Sequence, residues 1–279
     1  MEIKNEITKE IFESYVPGAK MPERNDSVYN RLKEHFQLSY EQLIHQTIGN
    51  DSVAAAESDT AIKQRILRFV CLHAFITVAR SLDLVLTATG FGVVSTNSMT
   101  PASKTRVDAF INDCRMEALM AHHGLVEHLV CLEGWGGTFQ ARVTIQCLFW
   151  HINHLRTYTA LQVTADSWQS ASGLALVADA FLRKAISTEY MDELLDKVRT
   201  HSCTNDDQII IGRCLRFIGG FVSGYEYCKE PNQQQLDAIV DILETFISHY
   251  PTYQQSETYK GRHAERYQNK KEDSTFFFM

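Results

Sequence analysis

Two six-residue segments of this chain repeat one pattern about half a chain apart: Arg65-Ile66-Leu67-Arg68-Phe69-Val70 and Arg213-Cys214-Leu215-Arg216-Phe217-Ile218. Each follows a helix-like segment with a tyrosine and a leucine near its start, Tyr40 and Leu43 before the first copy, Tyr190 and Leu194 before the second. Self-similarity at this separation points to two related helical units rather than one enzyme domain built round a unique pocket. Only five prolines and fourteen glycines occur, and long stretches run without either, which favours helices over a sandwich or barrel. The expected fold is therefore all-α: a leader at 1–24, a helical-bundle unit at 25–125, and a helical connecting section at 126–164 packed against both units. A second unit at 165–250 and a polar tail at 251–279 complete it.

Periodicity and caps divide these units further. Asp26 or Ser27 is placed to cap a helix to about Gln37, and Ser39 to start another that ends near Gly49, with Gln42 at the capping-box position. Asp59 or Thr60 opens a long helix to about Ala88, apolar all round in its middle and so central to its unit. Residues 91–95 read as β-like, and Thr100-Pro101 as N-cap and N1 of a helix with Val107, Phe110, Ile111, Cys114, Ala118 and Leu119 on one stripe. Gly134 to Gly137 reads as a flexible break, and the length of 139–162 favours one helix. Three helices fit 168–186, 188–200 and 206–223, and a last one runs from Pro231 to Tyr250. Residues 252–273 have no apolar stripe and are expected to stay unburied. The aromatics that follow, Phe276, Phe277 and Phe278, would each bury roughly 150–250 Å², either on a neighbouring molecule or back on their own domain.

A net charge of −7 argues against a dedicated nucleic-acid binder and against adhesion to an anionic membrane. The uncharged run from Phe69 to Ala79 is too short for a bilayer, which takes about 20 residues. The N-terminal Met1-Glu2-Ile3-Lys4 lacks the apolar stretch of a signal peptide. Seven scattered cysteines without a Cys-x-x-Cys pair read as reduced, buried thiols of a cytoplasmic protein.

No catalytic motif stands out, and neither a cofactor nor a metal is expected. His122, His123, His128, His151 and His154 cluster in sequence, but the paired Glu-x-x-His of a helical two-metal site is absent. The alternative reading is a helical metalloprotein or enzyme that uses His122, His123, His151 and His154. Arg65 with Arg68, and Arg213 with Arg216, lie three apart and project from helix edges. They are candidates for electrostatic docking to an acidic neighbouring subunit, as against ordinary solvated charge.

The stretch Gly92-Val93-Val94-Ser95, Pro101-Ala102-Ser103-Lys104 and Arg106-Val107 resembles uncharacterised proteins of Bacteroidetes phages and prophages. The helical repeats are more faintly similar to the small helical head–tail connector proteins of tailed phages. The resemblance implies a non-catalytic head-tail connector or head-completion adaptor. It would form a homo-oligomeric ring and bind portal or tail-side virion proteins, moving from the host cytoplasm into the virion. On that expectation Phe276, Phe277 and Phe278 anchor to a partner, with Arg65, Arg68, Arg213 and Arg216 at the subunit edges. This chain departs from simple connectors in having two helical units and a middle section.

Overall fold

Helix α4 (Thr60–Val78) is the axis of the N-terminal half. Asp59 caps it, its carboxylate accepting from the Ala61 and Ile62 amides at 2.8 and 3.0 Å. Ile62, Ile66, Val70, Cys71, Leu72, Ala74, Phe75 and Val78 are all buried, more than one helix face can hold, so neighbours flank it on two sides. On one side α2 (Ser27–Leu43) runs antiparallel, matched by Ser39 with His73 and by Arg31 with the carbonyls of Ser81 and Leu82. On the other, α5 (Lys104–Leu129) runs antiparallel, matched by Arg80 with Asp108, Arg68 with Glu117 and Arg65 with His128. The N-terminal segment closes this layer: Ile3, Ile7, Val16 and Phe12 of α1 (Lys9–Tyr15) are buried, with Phe12 against Phe36 and Phe75. A short helix α3 (Val53–Ser58) precedes α4.

The computed structural model describes residues 3–16, 18–19, 27–82, 84–87, 90–93 and 102–264. Among the described residues the fold is all-α, apart from one antiparallel hairpin in which β1 (Leu84–Thr87) faces β2 (Gly90–Val93). No helix among them is long and apolar enough to cross a membrane.

The C-terminal half is built on α8 (Ala165–Ala185), α9 (Thr188–Arg199), α10 (Asn205–Gly224) and α11 (Gln233–Thr245). Thr164, Ser187, Thr204 and Asn232 cap them, each side chain accepting from a backbone amide of the first turn. Between the halves lie α6 (Phe139–Thr144) and α7 (Ile152–Tyr158). Helix α7 packs on α5, α8 and α10, and the turn at Trp135–Gly137 packs on α9. One hydrophobic core runs from Ile3 to Tyr253. In the two repeated motifs Ile66 and Cys214 are buried at one position and Val70 and Ile218 at another, while Arg68 and Arg216 are exposed. Their neighbours differ: α4 sits between α2 and α5, whereas α10 packs on α8, α7 and α11.

Several boundaries depart from expectation. Ser39 starts no helix: α2 is continuous through it, and its hydroxyl faces His73. Helix α4 stops at Val78, and the chain turns into the hairpin instead of running on to Ala88. Helix α5 begins at Lys104, three residues past the expected Pro101. The turn at 134–137 is packed, not loose. Gly134 takes φ +83°, Trp135 is fully buried with its indole donating to the Thr47 carbonyl at 3.0 Å, and a Cβ on Gly136 would lie 2.4 Å from the Arg199 carbonyl. Residues 139–162 are not one helix. The Ile145 carbonyl accepts two bonds from the Arg199 guanidinium, and the Ile152 amide donates to His123, so long-range partners replace helical ones between α6 and α7.

The tail also begins later than its polarity implies. Helices α12 (Pro251–Gln255) and α13 (Glu257–Arg262) fold back, with Tyr253 and Ser256 buried and α12 against α9. Arg262 donates to the Ala185 carbonyl at the end of α8. Phe276, Phe277 and Phe278 lie outside the described residues. All seven cysteines are free, but Cys203 is only half-buried and Cys131 and Cys228 are exposed.

Candidate functional site

A groove of about 750 Å³ opens between α5, α6, α8 and the turn that follows α2. That turn, Ile44–Ile48, is a widened π-type turn closed by Gly49 at φ +83°. It leaves carbonyls free for distant donors, His45 for the Gln140 amide at 3.3 Å and Thr47 for Trp135. These bonds hold α6 beside α2 and set one wall.

Along the rim three apolar side chains face solvent: Phe139 at 74% exposure, Val143 at 42% and Leu176 at 43%. The floor is aromatic. His123 meets Trp168 edge-on at 4.8 Å between ring centres, and Phe149 stacks on Trp168 at 6.1 Å. None of the side chains that line the groove is Asp, Glu, Lys or Arg.

Four of the five histidines marked in the sequence, His122, His123, His151 and His154, converge at this floor and just behind it. Ring centres lie 5.8 Å apart for His122 and His123, 5.0 Å for His123 and His151, and 6.1 Å for His151 and His154. Burial pushes His122 and His154 down to about 4. Burial, then the neighbouring histidines, pushes His123 down to about 2. His151 is also lowered by burial, against the opposing pull of Glu127, whose carboxylate lies 3.3 Å from its Nε2.

Their hydrogen bonds fix the chemistry they can do. Nδ1 of His123, of His151 and of His154 accepts from the backbone amide of Ile152, Asn153 and His151, at 2.8, 2.9 and 3.4 Å. A neutral ring that accepts at Nδ1 carries its proton on Nε2, so neither nitrogen has a lone pair free for an ion. His122 Nε2 is within 3.0 Å of the Thr47 hydroxyl, and His128 bridges the Gly124 carbonyl and Arg65. Among the described residues no group of three or more His, Cys, Asp or Glu is placed to hold a metal.

The flagged arginines divide into two kinds. Arg65 and Arg68 are tied to α5 through His128 and Glu117. Arg213 and Arg216 are exposed on α10, with no ion-pair partner among the described residues. A second hollow, about 530 Å³, lies behind the histidines and is lined by Glu127, His154, Tyr158, His201, Cys203 and Leu215 among others. His201 there takes φ +51°, the one non-glycine residue at positive φ among those described.

Sequence reasoning missed the rim. Phe139, Val143 and Leu176 are apolar residues of α6 and α8, and only their final placement leaves them outside the core.

No curated protein and no solved structure matches the chain. Residues 22–131, which span α2 through α5 and about two fifths of the chain, are similar to a family described as "Family of unknown function (DUF6712)".

Proposed function

We propose that the chain is a non-catalytic structural protein that acts through protein–protein contacts, as a prophage head-tail connector or head-completion adaptor. The observation that carries this reading is the uncharged apolar groove, whose rim holds Phe139, Val143 and Leu176 in water although one continuous core accommodates most other large side chains. Exposed apolar patches rimmed by polar surface mark interaction sites. The free cations Arg213 and Arg216 on α10 support docking to an acidic neighbour, and the resemblance of residues 92–107 to phage proteins supports the virion setting.

On this reading the helical units tile side by side in a closed ring. The chain passes from the host cytoplasm to the virion and contacts portal or tail-side proteins. Quantitative mass spectrometry of purified, prophage-induced particles tests it. The expected result is the chain at ring-like copy number in intact particles; its absence from particles while it is abundant in the lysate would refute the role. The convergence of His122, His123, His151 and His154 favours a second reading, a helical metalloprotein or enzyme, which the engaged Nδ1 atoms oppose. Stoichiometric zinc or iron in protein purified without a histidine tag would establish it in place of the first.

A further inference from the structure

We infer that the groove between α5, α6 and α8 is the seat of the chain's own Phe276-Phe277-Phe278 segment, docked within the same molecule. The inference concerns the same groove that carries the virion reading: in the free chain the segment covers the face that reading gives to a partner. Three observations meet. First, the groove is apolar and aromatic, walled by Phe139, Leu176 and Trp168, and no acidic or basic side chain lines it. Its volume of about 750 Å³ is that of a ligand-sized site.

Second, the segment is its chemical match. Ser274-Thr275-Phe276-Phe277-Phe278-Met279 carries no charged side chain, whereas Lys270-Lys271-Glu272-Asp273 just before it is wholly charged. A charged peptide would leave its ions desolvated against the neutral floor; an aromatic one would not. Trp168, Phe139 and the neutral imidazole of His123 offer aromatic surface of the kind that phenylalanine rings pair with edge-on or offset.

Third, the distance fits. Arg262 is bonded to the Ala185 carbonyl at the C-terminal end of α8, and the groove lies along the first half of that same helix, from Trp168 to Leu176. At 1.5 Å rise per residue these positions are about 14 to 26 Å from Ala185. Eleven residues lie between Ala264 and Phe276, and the twelve steps span at most about 43 Å. A tether of that length keeps the segment at high effective concentration beside the groove.

The chain's tryptophans report the outcome directly. Trp150 and Trp168 line the groove, while Trp135 is fully buried and insensitive to it. Acrylamide quenching is compared among the full chain, a variant with Phe276→Ser, Phe277→Ser and Phe278→Ser, and Leu176→Asp, with circular dichroism confirming equal helix content. The full chain is expected to be quenched least and both variants about twofold more, with no further increase when they are combined. A peptide of residues 272–279 should restore protection to the triple-serine variant and leave the full chain unchanged. It should bind the Leu176→Asp form of that variant at least about tenfold more weakly. Equal quenching in all forms would overturn the inference. So would protection that appears only as dimer forms in sedimentation velocity, since the segment would then occupy a second copy.

Discussion

Replacing Arg199 by methionine should destabilise the protein by about 2–3 kcal/mol, although the residue is a charged one on the last turn of a short helix. Its guanidinium is 8% exposed at the residue level and donates twice to the Ile145 carbonyl, at 3.1 and 2.6 Å. That carbonyl belongs to the fully buried Ile145, just past the end of α6. Losing both donors leaves a buried acceptor unsatisfied, at about 1–3 kcal/mol. The bond from Arg199 to the mostly exposed Asp196 adds no more than about 1 kcal/mol. Methionine keeps the apolar stem in place, so packing loss is small. Urea denaturation followed by tryptophan emission and far-ultraviolet dichroism measures the change. Arg142→Met, on the exposed face of α6, is the control and should stay within about 0.5 kcal/mol. Arg199→Lys, with one reachable donor, should recover part of the loss. Equal midpoints for Arg199→Met and Arg142→Met would refute the claim that this guanidinium holds the break between α6 and α7.

Two glycines of α10 should respond in opposite directions to alanine. A Cβ on Gly219 would sit 2.3 Å from the Tyr158 carbonyl, so Gly219→Ala should cost about 1–3 kcal/mol by separating α7 from α10. Gly212 has nothing within 4 Å, and Gly212→Ala should add about 0.5–1 kcal/mol of stability, read from thermal midpoints. Acid should unfold the protein through its buried histidines. His122 and His154 stay neutral down to about 4 when folded, while the unfolded chain takes up those protons near pH 6.5. The unfolded state then binds more protons, so stability is full above about pH 6.5 and falls as pH drops toward about 4. His154→Gln should flatten the urea-midpoint slope between pH 7 and 5, and an unchanged slope would count against the buried neutral state.

What could be read from the sequence was local. Helices α8 to α10 begin and end within three residues of expectation, each held at its start by a hydroxyl cap, Thr164, Ser187 or Thr204. Asp59 and the all-round apolar middle of α4 likewise placed that helix at the centre of its half. The errors came where a partner far along the chain outcompetes the helical bond: Arg199 at Ile145, 54 residues away, and His123 at Ile152, 29 residues away. Tyr253 misled for a related reason. Scattered tyrosines in a polar stretch make no stripe, yet Tyr253 is buried between Tyr190 and Tyr259 and holds α12 to α9. The histidine cluster was visible as residues but not as chemistry, because which nitrogen each ring spends on the backbone depends on tertiary geometry.

Hydroxyl-radical footprinting of the groove rim is the most direct test that the chain's own aromatic segment covers this face. Oxidation of Phe139 and Leu176 is measured by mass spectrometry in the full chain and in a chain ending at Ala264. Several-fold protection of both residues in the full chain, lost on truncation, is the predicted result. Equal oxidation of both residues in the two forms would contradict it.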